Sequence, residues 1–371
     1  MTEASAGSPV LKSERRRAAE QSSAEEVTSG ILRIMLPIDL PGLGHVNCYA
    51  IEDANGIALI DPGLADGVTH EVLSERLQDV GLDVADVHTA IATHSHFDHY
   101  GGIARLHTTN VGDPIHVCAH STFGAGWHNA YDDLLIEEDE DSATLETRTD
   151  AEVIDYLDDM SQRLRRTSPW GPKTDGFPTD LLASMSVGIA PIGPLRPPTV
   201  THAVDDGHRI ELGGQSWDVV HTPGHCDDHI CLWNGDLGVL FSGDHLLPHI
   251  TPHISGFSAY GDPLAQFFAS LGRLEDLGSS TVVLPAHGDP FADMSGRARA
   301  ISEHHHGRLD RVREIGSEIG DQPVEEYMKL LFRERSWGMM AASETYAHLE
   351  WLRSKGEAKR TAANNRLNYR L

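Results

Sequence analysis

The sequence predicts an α+β fold in which two β-sheets form a sandwich with helices outside it. Two groups of short apolar segments with the spacing of strands lie at 30–99 and 208–288. Each group is followed by segments with helical spacing, which is typical of packed layers. Residues 123–198, between the two groups, are acidic and then proline-rich, which indicates a helical insertion. From residue 294 the pattern is helical, and this indicates an additional C-terminal domain.

The first group begins with the strand-like segments GILRIMLPI, HVNCYAIED and IALIDPG. The turn Ala54-Asn55-Gly56 predicts a hairpin, because Asn-Gly between two apolar runs favours one. THEVLSERLQDVG then shows helical spacing, and Gly81 predicts the end of that helix. HTAIATHSHFDH is predicted to be a buried strand that leads into a histidine-rich loop. In α/β sheets, such loops at the carboxyl ends of strands usually hold the ligands.

Domain boundaries follow from these changes of pattern. The polar residues 1–28 predict a flexible tail, and residues 29–295 a main domain with an insertion at about 123–198. We expect the insertion to cover a site, because long insertions in compact domains are usually functional or disordered. Residues 296–371 contain one long helix, two further helices and an alternating end around 363–365. This arrangement predicts a winged-helix-like domain.

Composition excludes several classes of protein. The 56 acidic and 29 basic residues give a formal net charge of -27, a field that disfavours non-specific binding of nucleic acids. The sequence has no run of about 18 apolar residues, and its first thirty residues lack the apolar stretch of a signal peptide. We therefore expect a cytoplasmic protein that does not span a membrane. The four cysteines include no CxxC pair, which argues against a disulfide framework and a thiolate zinc finger.

The segment THSHFDHYGG, at 93–102, carries the strongest functional signal. His94 and His96 lie two residues apart, so in an extended loop both imidazoles point to one side. Asp98 and His99 follow as the chain turns into a helix, and they can aim at a neighbouring point. Imidazole and carboxylate ligands without a thiolate suit Zn, Mn or Fe(II).

Three later strands also end in a residue of ligand type: His225 after WDVVHTPG, Asp244 after VLFSG and His287 after VVLPA. Together with the first segment, these loops supply seven potential ligands. That number predicts a two-metal centre, with three ligands for each metal and one carboxylate between them. Cys226 follows one potential ligand directly, and we expect it to face away as a structural thiol.

These motifs resemble those of the metallo-β-lactamase-fold hydrolase superfamily. The superfamily's HxHxDH signature and its three further ligands are matched by His94, His96, Asp98, His99, His225, Asp244 and His287. The resemblance covers roughly residues 31–293 and implies an αββα sandwich with the metals at one edge. TPGHCDDHICLW and SGDHLLPHITPHIS look closest to the glyoxalase-II-like and lactamase-β-like-2 branches, and the C-terminal helices resemble the winged-helix-like tail of the latter.

The resemblance also implies roles for individual residues. His94, His96 and His225 would hold the first metal, Asp98, His99 and His287 the second, and Asp244 would lie between them. The implied cofactors are two divalent ions, foremost zinc with Fe or Mn as alternatives, and a shared hydroxide is the implied nucleophile. Asp98 and Asp244 are the predicted catalytic carboxylates, with Asp98 orienting the hydroxide and returning a proton. Further predicted contributors are Asp61, which braces the site from behind, and His229 and His245, which could donate hydrogen bonds to a substrate.

The predicted activity is hydrolysis of a small carbonyl ester, either a thioester of a carrier such as CoA or glutathione, or a lactone. A β-lactamase is disfavoured, because β-lactamases of this fold lack the aspartate that Asp244 supplies. Three alternatives remain open: an endoribonuclease or phosphodiesterase, a mononuclear iron persulfide dioxygenase, and a winged-helix regulator that binds nucleic acid. The terminal hairpin is basic, but the overall acidity favours an interdomain or homodimer contact for it over nucleic acid. Its basic residues are Lys355, Lys359, Arg360, Arg366 and Arg370.

Overall fold

Two β-sheets packed face to face form the centre of the structure. The computed structural model describes residues 9–38, 43–109, 114–124, 155, 158, 168–171, 197–363 and 366–371. The first sheet has its strands in sequence order from β1 to β7, and the second has the order β12-β11-β10-β9-β8. The first sheet comprises β1 Glu25–Thr28, β2 Ile31–Pro37, β3 His45–Asp53, β4 Gly56–Ile60, β5 Val87–Ile91, β6 His116–His120 and β7 His202–Val204. The second comprises β8 Arg209–Leu212, β9 Gln215–His221, β10 Ile230–Asn234, β11 Val239–Gly243 and β12 Val282–Pro285.

Aromatic side chains fill the space between the two sheets. The Phe241 ring of the second sheet lies 5.2 Å from the Tyr49 ring of the first and 4.9 Å from the Trp217 ring. All three side chains are buried. Successive side chains of a strand point to opposite faces of the sheet. The apolar side chains that do not face the other sheet therefore point outward and must be buried by other elements. These elements are helices.

Helices cover the outer face of each sheet. Leu73 and Leu77 of the first helical layer pack with strands of the first sheet, and Phe267 and Leu271 pack with strands of the second. The predicted sandwich with external helices is therefore confirmed. The helices that precede the C-terminal region in the chain are α1 Pro9–Gln21, α2 Gly67–Asp79, α3 Phe97–Tyr100, α4 Gly102–Thr109 and α5 Pro263–Asp276.

Local signals in the sequence explain several of these boundaries. Asp66 caps α2 by accepting a hydrogen bond from the Thr69 amide at 2.7 Å. Gly81, at φ +84, follows the end of this helix as predicted. The predicted hairpin between β3 and β4 is confirmed, and its Gly56 has φ +134. A Cβ atom at Gly56 would lie 2.2 Å from the Asp86 carbonyl oxygen, so only glycine fits there.

Three helices and a small sheet form the C-terminal region. The helices are α6 Met294–Ile319, α7 Val324–Leu331 and α8 Met339–Ser354. The strands β13 Gln322–Pro323, β14 Lys359–Ala363 and β15 Arg366–Arg370 form a sheet in the order β13-β15-β14. The prediction of three helices followed by a hairpin is confirmed, and this order of elements is that of a winged helix.

The N-terminal segment differs from its prediction. Residues 9–28 form α1 and β1, and β1 pairs antiparallel with β2, so the prediction of a flexible tail over 1–28 is wrong for this part. Ala19 is fully buried, and its carbonyl accepts a hydrogen bond from Arg76. The sequence did not predict this packing, because the segment is polar and its strand pairing and the contact with Arg76 are made by backbone groups.

Most of the predicted insertion at about 123–198 lies outside the described residues, and so does the tip of the terminal hairpin at 364–365. Within the predicted helical piece AEVIDYLDDMSQRLRR, only Asp155 and Asp158 are described, and both are helical. Trp170 is described and buried, and its ring lies 5.3 Å from the Tyr346 ring of α8. Among the described residues, no helix is both long and apolar enough to cross a bilayer.

Candidate metal centre

The predicted ligands follow the carboxyl ends of strands from both sheets. Asp61 follows β4, and the segment containing His94 follows β5. In the second sheet, His225, Asp244 and His287 follow β9, β11 and β12. Strands β4, β11 and β12 are largely apolar and buried, and β5 and β9 are buried near their carboxyl ends, at Ala90, Ile91, Val219 and Val220. The buried strand ends therefore anchor the loops that carry these residues.

Three histidines form the first cluster. His96 Nδ1 lies 2.9 Å from His94 Nε2 and 3.1 Å from His225 Nε2. Burial lowers the pKa of His94 well below its usual value, and burial together with His225 lowers the pKa of His96 to about 3. The imidazoles are therefore neutral, which is the form that binds a metal.

Asp98, His99 and His287 form the second cluster. Asp98 Oδ2 lies 3.5 Å from His287 Nε2 and 3.7 Å from His99 Nε2. Burial alone would lower the pKa of His99, but the charges of Asp61, Asp98 and Asp244 raise it well above its usual value. Burial would also raise the pKa of Asp98, yet His99 and His287 lower it to about 2. Three carboxylates thus make this position strongly attractive to positive charge.

Asp244 lies between the two clusters. Its Oδ2 is 3.6 Å from His225 Nε2 and 3.7 Å from His99 Nε2, and its Oδ1 is 3.4 Å from His287 Nε2. The structure therefore brings all seven predicted ligands together, although their role as ligands stays a prediction. Ligand atoms from these residues fall into groups within 4.8 Å of one another.

Unsatisfied polar atoms indicate what the clusters fit. His99 Nε2, His287 Nε2 and Asp244 Oδ1 are buried, and each lacks a hydrogen-bond partner among the described residues. Buried polar atoms are normally paired, because leaving them unpaired costs free energy. Imidazole nitrogens and a carboxylate oxygen that converge without mutual hydrogen bonds are suited to divalent cations.

Asp61 supports the second cluster from behind. Its Oδ2 accepts a hydrogen bond from His99 Nδ1 at 2.9 Å, and its Oδ1 accepts one from the Thr93 amide at 2.8 Å. The contact fixes the His99 tautomer, so that Nε2 faces the cluster. Asp61 has φ +53, and among the described residues it is the only non-glycine with positive φ. Such strain persists where the surroundings over-determine a conformation, and this geometry agrees with the predicted bracing role.

Backbone carbonyls orient two further histidines in the same way. His225 Nδ1 donates to the His253 carbonyl at 2.6 Å, and His287 Nδ1 donates to the His45 carbonyl at 2.7 Å. Each contact leaves Nε2 facing the site. Sequence analysis missed His45 and His253 in these roles, because any residue can supply a backbone carbonyl.

His229 and His245, which were expected to bind substrate, are both fully buried. His229 Nε2 accepts a hydrogen bond from the Asp244 amide at 3.1 Å. Its other nitrogen, Nδ1, donates to Thr222 Oγ1 at 2.7 Å. His245 packs 4.6 Å from the Phe267 ring. Both ring nitrogens of His229 are therefore engaged within the chain, and this side chain holds the backbone of Asp244 instead of facing a substrate. The predicted substrate contact of His245 stays a prediction.

Cys226 also departs from its prediction. Its Sγ lies 3.3 Å from His96 Nε2, so the side chain faces the first cluster rather than away from it. With His96 Nδ1 bound to a metal beside the other two histidines, Nε2 would carry the proton and donate to sulfur. Burial raises the pKa of the Cys226 thiol well above its usual value, which keeps it a neutral acceptor. Its position next to His225 was the only signal of this contact in the sequence.

A small open cleft lies beside His287. Its wall includes Arg15 of α1, His45, His249 and Ile250. Sequence analysis missed Arg15, because the segment that carries it was predicted to be a flexible tail. The cleft places open space next to the second cluster.

Comparison with known proteins places these features in a family. The model of the metallo-beta-lactamase superfamily matches residues 41–287. A hydroxyacylglutathione hydrolase of Hydrogenovibrio crunogenus is 30% identical over 144 residues, which are 38% of this chain and 50% of that protein. The lactamase-like protein adaB of Aspergillus niger is 24% identical over 291 residues, and the match covers 78% of this chain but only 64% of that relative. The crystal structure of a metallo-beta-lactamase family protein from Thermus thermophilus has a TM-score of 0.68 and 28% identity, covering 93% of this chain and 99% of that chain.

Proposed function

Because the chain belongs to the metallo-beta-lactamase superfamily of metal-dependent hydrolases, we propose that it hydrolyses a small carbonyl ester, a thioester or a lactone, at a dinuclear metal centre. The observation that carries this proposal is the convergence of seven side chains from four loops, with buried ligand atoms that lack partners among the described residues. Zinc is the proposed metal, with Fe or Mn as alternatives.

The two cations would lower the pKa of a shared water and polarise the substrate carbonyl. The other steps belong to the chain itself. Asp61 and the His45 and His253 carbonyls orient three imidazoles, and His229 holds the Asp244 amide. Asp98, with a pKa lowered to about 2, is ionised and can orient the attacking water.

Three observations support a small ester over RNA. One relative carries the name hydroxyacylglutathione hydrolase, a thioester hydrolase, although it matches only 38% of this chain. The net charge of -27 opposes the approach of a polyanion. Arg360 of the terminal hairpin lies 3.1 Å from Glu350, and Lys355, directly after α8, lies 5.3 Å from the centre of the Trp351 ring. These two cations are engaged within the C-terminal region.

A screen of purified protein against thioesters, lactones and RNA, with metal content measured on the same sample, tests the proposal. We expect two ions per chain, turnover of a thioester or lactone, and loss of both after treatment with a chelator. One iron per chain with oxygen uptake would replace the proposal with persulfide oxidation. RNA cleavage without ester turnover would replace it with a nuclease.

A further inference from the structure

The orientation of His225 in the first cluster depends on a backbone carbonyl. His225 Nδ1 donates to the His253 carbonyl at 2.6 Å, which turns Nε2 toward His96 and Asp244. His253 lies between β11 and α5, in a stretch where residues 251–255 have no regular secondary structure. A carbonyl in such a stretch orients a ligand only if something else fixes the stretch.

Helix α8 of the C-terminal region supplies that support. Ser343 Oγ accepts a hydrogen bond from the Gly256 amide at 2.8 Å, and Glu344 Oε2 lies 3.5 Å from His253 Nδ1. The approach is close, because a Cβ atom at Gly256 would lie 2.8 Å from the Ser343 carbonyl oxygen. The segment 253–256 is thus held at both ends by adjacent residues of one helix.

Glu344 is itself held in a buried network. Arg308 of α6 forms an ion pair with its other oxygen. Burial would raise the pKa of the Glu344 carboxyl, but the charge of Arg308 holds it well below its usual range. Glu344 is 7% exposed, so its carboxylate is a buried anion with partners on both oxygens.

The neighbouring His305 and His348 complete this network. His348 Nδ1 donates to the Glu344 carbonyl at 2.7 Å, and His348 Nε2 lies 3.2 Å from His305 Nδ1. The two rings and the Glu344 carboxylate could converge on a cation. A dication there would lie beside the Arg308 guanidinium, which already neutralises the carboxylate. The observations therefore favour a hydrogen-bonded support over a third metal position.

We propose that Ser343 and Glu344 are positioning residues of the C-terminal region, which fix the segment 253–256 and through the His253 carbonyl set the orientation of His225. The inference rests on the proposed function in one respect, namely that His225 binds a metal. It assigns the C-terminal helices a part in assembling the metal centre.

Cobalt(II) binding to chelator-treated protein tests this role without any substrate. The central variant is the pair Arg308→Met and Glu344→Leu, because replacing both members of a buried ion pair with apolar residues often preserves stability. We expect this variant to bind the first cobalt ion about 10-fold to 100-fold more weakly than the wild type, with a changed visible spectrum. Glu344→Gln should also weaken cobalt binding, because a single amide oxygen cannot accept from both His253 and Arg308.

Two further variants keep the outcome clear. Glu350→Ala is the matched control, because Glu350 lies on the same helix but pairs with Arg353 and Arg360; its cobalt affinity should equal that of the wild type. Ser343→Ala should weaken binding without disturbing the ion pair, and it replaces the double variant if that protein does not fold. Equal cobalt affinity in the wild type and in the folded double variant, or in Ser343→Ala where the double variant does not fold, would overturn the inference. A wild type that binds no cobalt would instead contradict the proposed function.

Discussion

At the scale of single residues, the metal centre depends on hydrogen-bond acceptors that orient the predicted ligands. His99, His225 and His287 each donate one ring N–H to an oxygen outside the cluster. In the neutral form that binds a metal, an imidazole has one donor and one acceptor nitrogen, so each of these contacts sets which nitrogen faces the metal position. For His96, the nitrogen that faces away from the other two histidines lies next to the Cys226 sulfur.

Asp244 should be indispensable for turnover. Its two oxygens face ligand nitrogens of both clusters, so Asp244→Ala removes the shared carboxylate. We expect kcat/KM to fall by at least on the order of a thousandfold, since cations contribute several kcal/mol to such reactions. His96→Ala should have a similar effect.

Steady-state kinetics and metal analysis of the same preparations measure this loss. Asp236→Ala, at an exposed position between β10 and β11, is the control and should retain full activity. Full activity in Asp244→Ala would refute the two-ion mechanism.

Replacing Asp61 should lower metal affinity or kcat less than replacing a ligand, but more than replacing an ordinary turn residue. Asp61→Ala removes the acceptor of His99 Nδ1 and of the Thr93 amide. We expect metal affinity or kcat to fall about 10-fold to 100-fold, as for other residues that orient ligands. Asp66→Ala is the matched control, because Asp66 caps α2; it should lower stability and leave kcat per folded molecule unchanged. A kcat and a metal affinity in Asp61→Ala equal to those of the wild type would show that the contact has no orienting role.

At the scale of elements, the sequence predicted helices and strands with a clear apolar periodicity, and it predicted site residues of ligand type that directly follow such strands. The hairpin at Gly56, the helix that ends before Gly81 and the long helix α6 were all predicted. So was the convergence of His94, His225 and Asp244, because buried strands end at these loops. The role of His253 could not be predicted, since it depends on a backbone carbonyl and on a helix almost a hundred residues later. Helix α1 was not predicted either, because its composition is polar. Its contacts with the rest of the chain include the buried Ala19 and a hydrogen bond to the Ala19 carbonyl.

Helix α6 offers a test of stability that is separate from catalysis. Asp293 accepts a hydrogen bond from the Gly296 amide at 2.8 Å and caps this helix of 26 residues. Asp293→Ala should lower the free energy of unfolding by about 1 kcal/mol, as measured by urea denaturation, without changing kcat. Glu318→Ala, in the last turn of the same helix, should leave stability unchanged or slightly higher, because a negative charge there opposes the helix dipole. A similar loss in both variants would show that the cap contributes nothing specific.

At the scale of the whole molecule, charge distinguishes classes of substrate. The net charge of -27 produces a field that extends beyond the metal centre, whereas the cationic side chain of Arg15 lines only the local cleft. At about 0.15 M salt, charges more than about 8 Å apart are largely screened. The long-range field therefore acts on the approach of a substrate at low salt, and contacts within the cleft persist at higher salt.

Ionic strength should thus affect anionic and neutral substrates differently. For a thioester whose carrier is polyanionic, kcat/KM should rise as salt increases from about 0.01 M to about 0.15 M, because screening removes the repulsion that slows encounter. For a neutral lactone, kcat/KM should stay constant over the same range, which makes it the internal control. The rise should appear in kcat/KM and not in kcat, since kcat describes the bound complex. If kcat/KM for the anionic thioester falls with salt, local cations at the cleft outweigh the acidic surface, and RNA regains its place as a candidate substrate.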